Sequence, residues 1–148
     1  MREIKFRAWD LDKLRMVYVI NMEYDYNRDL HHAVITNSPM EVGERRHNCD
    51  DLVFMQFTGF KDKNGKEIYE GDIVATGNDG NDGADVWKKE DNGYAQVMFN
   101  DGWGVDIISK HYGWSYNDAE SIYALKYLEI IGNIYENPEL LQEDKLKE

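Results

Sequence analysis

The chain has 148 residues, of which 42% are hydrophobic and 13% aromatic, so it can bury a core and is not of disordered composition. Its 29 acidic side chains outnumber 17 basic ones, and the resulting net charge of −12 disfavours nucleic acid as a ligand. The single cysteine excludes an intramolecular disulfide, and no signal region or membrane-spanning apolar run is present. We therefore expect a soluble, cytoplasmic protein with no membrane partner.

The first twenty residues predict a β-hairpin. Apolar and charged residues alternate over residues 4–9, which is the period of a half-buried strand, and a turn leads to an apolar run at residues 16–20. Arg7 and Trp9 fall on one face of the first strand. There we expect them to pack against another element or to contact a partner.

Residues 21–51 are predicted to be irregular, as a long loop or an insertion. Turn-forming residues recur through this segment, and only residues 33–35 are a candidate for a short strand. Loops of this length are often functional.

The stretch FTGFKDKNGKEIYEGDIV, residues 57–74, predicts consecutive strands of an antiparallel meander. Asn64-Gly65 tolerates positive φ and therefore suits a tight hairpin turn. Gly71-Asp72 turns the chain again before a strand that opens at Ile73-Val74. A Gly-Asp step before an apolar strand also occurs in small SH3-like barrels.

The C-terminal half predicts further strands and a terminal helix. Residues 77–93 are rich in Gly and Asp and predict an exposed loop, and residues 94–107 predict another hairpin. Residues 109–125 fit either a short helix or a strand. Gly132 indicates a strand with a bend or bulge, and Asn137-Pro138 is typical of a helix start.

These elements together predict one mainly β domain built of antiparallel hairpins, over residues 1–148. Its predicted parts are an N-terminal hairpin (1–20), an irregular segment (21–51), a core that is an SH3-like barrel or a strongly curved sheet (52–136), and a short C-terminal helix (137–148).

Three blocks of this sequence resemble the YopX-like proteins, which bacteriophages and prophages encode, chiefly in Gram-positive bacteria. The blocks are MREIKFRAWD, FTGFKDKNGKEIYEGDIV and LEIIGNIYENPELL, and they occur in the family's order along the whole chain. The resemblance implies a β-rich phage accessory protein. It defines no catalytic residues, and the matched motifs are turn glycines, strand starts and a helix cap.

Candidates for metal binding and catalysis lack the spacing that such chemistry needs. The run GNDGNDGAD places Gly80 and Lys89 where an EF-hand loop needs its third and twelfth ligands. Four possible transition-metal ligands are His31, His32, His47 and Cys49. Adjacent histidines often point apart, and the other two residues lack the spacing of structural zinc sites. No nucleophile elbow or phosphate-binding glycine motif occurs, so we predict no enzyme, no cofactor and no metal.

The leading functional prediction is a non-enzymatic accessory protein that contacts an unidentified phage or host protein, or a second copy of itself. The predicted contact residues are Arg7, Trp9, Trp103 and Trp114. One alternative is a small β-barrel that stacks bases on tryptophans and contacts phosphates through Lys5, Arg7 and Arg15, although the net charge opposes it. Another is an acidic decoy that occupies a host DNA-binding protein.

Overall fold

The computed structural model describes residues 3–37, 45–76, 94–99, 105–109, 115–116 and 128–141. Within these ranges the chain is almost entirely β-strand, and its only helices are two 3-10 helices at Cys49–Asp51 and Pro138–Leu141. The strand pairs in these ranges are antiparallel, for example β1 with β2 and β7 with β8. The mainly β, antiparallel prediction is therefore confirmed. No helix in the described part of the chain is long and apolar enough to cross a membrane.

Eleven strands occur in these ranges, and they are numbered here in chain order. They are β1 (Phe6–Asp10), β2 (Arg15–Tyr24), β3 (Leu30–Thr36), β4 (Arg45–Asn48), β5 (Leu52–Lys61), β6 (Glu67–Tyr69), β7 (Asp72–Thr76), β8 (Tyr94–Phe99), β9 (Val105–Ser109), β10 (Ser115–Tyr116) and β11 (Leu128–Asn133).

The chain divides into two compact units, Met1–Phe57 and Thr58–Glu148. The strand order in the first unit is β4-β3-β2-β1-β5, and the second half of β5 pairs with β6 in the second unit. The other sheet of the second unit has the order β10-β9-β8-β7-β11. This order is linear among the described strands, so they form open sheets rather than a closed barrel. The prediction of one domain over residues 1–148 stays a prediction.

The predicted N-terminal hairpin is confirmed, whereas the prediction of an irregular segment over residues 21–51 is wrong. β1 pairs with β2 from Phe6 opposite Val19 onwards, and β2, β3 and β4 then continue through the segment as paired strands. The pairing of β2 with β3 shifts register twice, once in each strand. Each such β-bulge breaks the period of two from which strands are predicted, although the hydrogen-bonded ladder continues.

A short connection curves the sheet of the first unit. Only the 3-10 helix Cys49–Asp51 joins β4 to β5, although three strands lie between them in the sheet. Four spacings in a flat sheet amount to roughly 19 Å. The four steps from Asn48 to Leu52 span at most about 14 Å even when fully extended. The sheet must therefore be strongly curved, so that its two sides approach each other.

The curved sheet encloses the first unit's core, and side chains on both faces of β1 are buried. A cluster of Ala8, Val17, Ala33, Ile35 and Leu52 is buried, with Val19, Cys49 and Phe54 packed against it. On the other face of β1, Arg7 and Trp9 are only 7% and 8% exposed. β1 is therefore buried on both faces, whereas its alternating sequence predicts a half-buried strand. It lies between β2 and β5, and both of its faces are covered.

The carboxylate of Asp10 lies at the end of β1 with no exposed surface and joins three elements of the first unit. Its Oδ1 accepts hydrogen bonds of 3.1 Å from the backbone N–H groups of both Asp12 and Lys13, which form the β1–β2 turn. Its Oδ2 lies 3.4 Å from Arg15 Nε on β2 and 3.9 Å from His47 Nε2 on β4. Because β4 and β1 are not neighbours in the sheet, the His47 contact is a direct consequence of the curvature.

These partners keep the buried carboxylate ionised. Burial alone would raise the pKa of Asp10, but the Lys13 N–H, the charge of His47, the Arg15 guanidinium and the Asp12 N–H outweigh it. The pKa of Asp10 therefore lies below its ordinary value of 3.8. A buried carboxylate that keeps its charge is a stability determinant whose contribution depends on pH.

Two aspartates are buried among the described residues of the second unit, and one of them, Asp62, protects a sheet edge. Asp62 Oδ2 accepts a hydrogen bond of 3.1 Å from the N–H of Ile130, and Lys63 N–H donates to the carbonyl of Leu128 at 3.0 Å. The N–H of Ile130 and the carbonyl of Leu128 lie on the outer edge of β11, because β7 pairs with the other edge of this strand. The turn that follows β5 thus occupies backbone groups that an edge strand would otherwise present to other chains.

Asp72 organises the next turn in the same unit. It is 1% exposed, and its Oδ2 accepts a hydrogen bond of 2.8 Å from the N–H of Tyr69. Gly71, with φ +82°, donates its N–H to the carbonyl of Val97 on β8 and accepts from the N–H of Ile134. The predicted turn at Gly71-Asp72 is confirmed, and it also holds β8 and the chain after β11.

The predicted bulge and terminal helix are both present in the described residues. The pairing of β11 with β7 shifts register between Ile130 and Gly132. A 3-10 helix occupies Pro138–Leu141, whereas the rest of the predicted helix, residues 142–148, lies outside the described residues. The side chain of Asn137 accepts a hydrogen bond from the N–H of Asn133 in β11, so this bond is made to the strand rather than to the helix.

We expect Asp10→Asn to lower the free energy of unfolding at neutral pH by about 1–3 kcal/mol, because Arg15 and His47 lose their buried anion. Ionised Asp10 stabilises the fold above its unfolded pKa, and this contribution is lost as the pH falls through the lower folded pKa. The wild type should therefore lose stability more steeply than the variant below about pH 4. Urea unfolding at a series of pH values measures both curves.

Asp12→Asn is the control, because it removes one negative charge from an exposed position in the same turn. Parallel curves for the wild type and Asp10→Asn below pH 4 would contradict the role assigned to Asp10.

Candidate functional site

Two turns of this protein share one hydrogen-bonding pattern. In the turn at residues 62–66, Asp62 Oδ1 accepts from the N–H groups of residues 64 and 66, and the backbone of Asp62 pairs with Lys66. In the turn at residues 25–29, Asp25 Oδ1 accepts from residues 27 and 29, and the backbone of Asp25 pairs with Asp29. Each sequence reads Asp-x-Asn, followed by one residue in the left-handed region and a closing residue.

The two turns differ at the left-handed position. Gly65 has φ +80° there, as the Asn-Gly prediction required, whereas Arg28 has φ +68° in the other turn. A side chain in this conformation is strained by about 1–2 kcal/mol, a cost that glycine avoids. The turn at residues 25–29 therefore keeps an arginine where the fold alone favours glycine. Such a position is a candidate for function rather than stability.

The side chains around this strained residue include the most exposed large hydrophobic side chain among the described residues of the first unit. Tyr26 is 100% exposed and Tyr24 is 61% exposed, while Arg28 is also exposed. We call these three residues the Tyr26 tip. Four hydrogen bonds of 2.8–3.0 Å fix the backbone between Asp25 and Asp29, so the tip is presented by an ordered turn.

A second exposed turn lies at the other end of β2, between β1 and β2. Leu11 and Leu14 are 49% and 69% exposed, and Leu14 adopts φ +51°. This turn contains no exposed aromatic residue, and Asp10 anchors it from within the core. It therefore serves as a comparison for the Tyr26 tip, with which it shares exposure and backbone conformation but not aromatic and guanidinium groups.

Two of the four residues predicted to contact a partner are buried in the structure, and the other two lie outside the described residues. Arg7 and Trp9 are buried on one face of β1, where they pack within the protein. Trp103 and Trp114 lie outside the described residues. Sequence reasoning missed the Tyr26 tip because its turn has arginine in place of the glycine that marks such turns.

The basic residues near the N-terminus are engaged within the first unit. Lys5 Nζ lies 3.6 Å from Glu3 Oε2 and 5.0 Å from the centre of the Phe57 ring, and Arg15 faces Asp10. With Arg7 buried, these side chains do not form the basic strip that a phosphate backbone requires.

Catalytic chemistry finds little support among the described residues. Burial, reinforced by the negative charge of Asp50, raises the pKa of the Cys49 thiol, which disfavours the nucleophilic thiolate. No three histidine, cysteine or carboxylate side chains are gathered within the described ranges in a way that holds a metal ion. The acidic run at residues 77–93 lies outside those ranges.

The fold and these sites define a mainly β protein of antiparallel hairpins whose turns are anchored by buried aspartates. A family model described as "YopX protein" matches residues 5–142, and the chain belongs to this family. No curated protein matches the chain.

Two solved structures resemble this protein over nearly its whole length. One is the crystal structure of protein EF1440 from Enterococcus faecalis, at 26% sequence identity and a TM-score of 0.64, covering 96% of this chain and all of that one. The other is the X-ray structure of protein yopX from Bacillus subtilis, at 20% identity and a TM-score of 0.53, covering 98% of this chain and all of that one. The second likeness concerns the fold alone.

We expect Arg28→Gly to raise the free energy of unfolding by up to about 1 kcal/mol, because it relieves a left-handed arginine. Gly65→Ala, at the same position of the matching turn, should lower it by about 1–2 kcal/mol. A Cβ at Gly65 would meet no atom within 4 Å, so this loss would come from the backbone conformation alone. Chemical denaturation of the three proteins measures both changes.

Arg28→Ala separates the backbone effect from the loss of the guanidinium group, since it keeps a Cβ in the left-handed region. A gain in stability equal to that of Arg28→Gly would show that relief of strain is not the cause.

Proposed function

We propose that this chain is a phage- or prophage-encoded accessory protein that binds another protein without catalysis, through the Tyr26 tip. The observation that carries the proposal is the complete exposure of Tyr26 on a turn closed by four hydrogen bonds. The fold buries none of the surface of this large aromatic ring, so the ring contributes nothing to the core. Its burial in a partner is therefore the physical gain available to it.

The composition of the tip fits a binding hot spot. Tyrosine and arginine are enriched among the residues that dominate protein interfaces, since both combine apolar area with directed hydrogen bonds. Because the turn is already ordered, binding costs little backbone entropy. Arg28 has a strained, positive φ and carries a side chain at a position where the matching turn has glycine. A protein with an apolar pocket for the ring and an acidic group beside it fits this chemistry.

The nucleic-acid alternative has no supporting observation in the described residues, because Lys5, Arg7 and Arg15 are engaged or buried. The acidic-decoy alternative rests on net charge alone. The resemblance of this chain to the YopX-like proteins, which bacteriophages and prophages encode, supports a phage origin. That origin gives the proposal a natural context. A partner encoded by the phage or by its bacterial host fits the tip equally well.

The proposal is tested by placing a photo-crosslinking amino acid at position 26 of the full chain, and at position 14 in a parallel sample. Both proteins are irradiated in nuclease-treated extracts of a bacterium that carries the gene, and the captured proteins are identified by mass spectrometry. The expected result is a protein captured from position 26 and not from position 14. Position 14 is a matched control because Leu14 is also exposed and lies in the turn at the other end of β2.

The affinity of the purified partner then decides the role of the tip. Tyr26→Ala should weaken binding by at least about 30-fold, the loss expected of a hot-spot residue, whereas Leu14→Ala should bind as the wild type does. Equal affinities for both variants, or capture that disappears with nuclease, would overturn the proposal. Capture of a second copy of the chain would identify self-association as the function of the tip.

A further inference from the structure

The neighbouring histidines His31 and His32 lie at the start of β3, where the pairing with β2 contains a β-bulge. Glu23 pairs with His32, and the next residue of β2, Tyr24, pairs with Leu30. His31 is thus the extra residue of the bulge. In a regular strand, consecutive side chains point to opposite faces, but a bulge redirects one of them.

The bulge brings the two imidazole rings together. Their Nδ1 atoms lie 2.6 Å apart, and the ring centres are separated by 4.2 Å at an interplanar angle of 46°. At this separation one ring donates its N–H and the other accepts it, since two N–H groups would repel. At least one nitrogen lone pair is therefore directed into the gap between the rings. The expectation that these adjacent histidines point apart is wrong for this pair.

We propose that His31 and His32 form a binding site for a divalent transition-metal ion that prefers imidazole ligands, with Zn²⁺ as its representative. A tetrahedral zinc ion with Zn–N bonds of about 2.0–2.1 Å holds two nitrogens roughly 3.3 Å apart. The rings therefore need to separate by only about 0.7 Å from their present 2.6 Å. When the ion binds, the donating ring carries its proton on Nε2, and both Nδ1 lone pairs face the metal.

The surroundings of the pair suit a partly open site. His31 is exposed and His32 is half-buried, so an ion can reach the rings from solvent. Glu23 pairs directly with His32 across the strands, and directly opposed residues share one face of a sheet, so Glu23 lies on the same face as His32. No three such side chains are gathered already within the described residues. The pair therefore supplies the two fixed ligands, and a carboxylate or water completes the coordination.

This proposal is independent of the proposed function, because it rests on the ring geometry and not on the Tyr26 tip. It is tested by titrating the full chain with ZnCl₂ in a calorimeter and by following the zinc-dependent rise in its unfolding temperature. The expected result is saturable binding of one ion per chain. His31→Asn and His32→Asn should each weaken it by at least about tenfold, since loss of even a supporting residue costs about 10- to 100-fold.

His47→Asn and Cys49→Ser are the matched controls, because they remove the remaining histidine and the cysteine of the first unit and should bind zinc as the wild type does. Circular dichroism confirms that each variant is folded. The proposal is overturned if the wild type binds no zinc saturably, if either His31→Asn or His32→Asn binds normally, or if the controls lose the ion instead. Nitrogen chemical shifts of the His31 and His32 rings should change together as zinc is added.

Discussion

The first unit depends on one geometrical constraint, which is that three residues must join β4 to β5 across a sheet in which three other strands separate them. This connection is too short for a flat sheet, so the curvature is a consequence of chain length rather than of any single contact. Asp10 lies where the curvature brings β1, β2 and β4 together. Its carboxylate binds the turn with one oxygen and faces Arg15 and His47 with the other. A buried charge can be tolerated there because both of its oxygens have polar or charged partners.

In the second unit, the main feature is the protection of the outer edge of β11. Asp62 and Lys63 bond to the outer side of β11, and Gly71 bonds to β8 and to the chain after β11. The stretch FTGFKDKNGKEIYEGDIV is therefore patterned because its two turns serve both their own hairpin and strands distant in the sequence. These hydrogen bonds explain the patterned stretch by its role in the fold, with no need to invoke a catalytic role. They also explain why likeness in this stretch specifies the fold and leaves the binding partner open.

Sequence alone could predict those elements whose signals are local. The N-terminal hairpin follows from alternation, and the turns at Gly65 and Gly71 follow from glycine's tolerance of positive φ. The strands in residues 21–51 could not be predicted, because bulges at two points interrupt the alternation. The choice between packing and partner contact at Arg7 and Trp9 was equally inaccessible. It depends on which elements cover the two faces of β1, and that is a property of the sheet rather than of the strand.

The Tyr26 tip and the histidine pair escaped prediction for related reasons. In the tip, arginine occupies the left-handed position, so the turn lacks the glycine that identifies its counterpart at residues 62–66. In the pair, a bulge reverses the ordinary rule that consecutive side chains diverge. Both departures from regular β structure occur in the same hairpin between β2 and β3, whereas the turn at residues 62–66 bonds to β11 through Asp62 and Lys63. The core requires neither the left-handed Arg28 nor the bulge at His31. We therefore place both proposed binding sites in this hairpin.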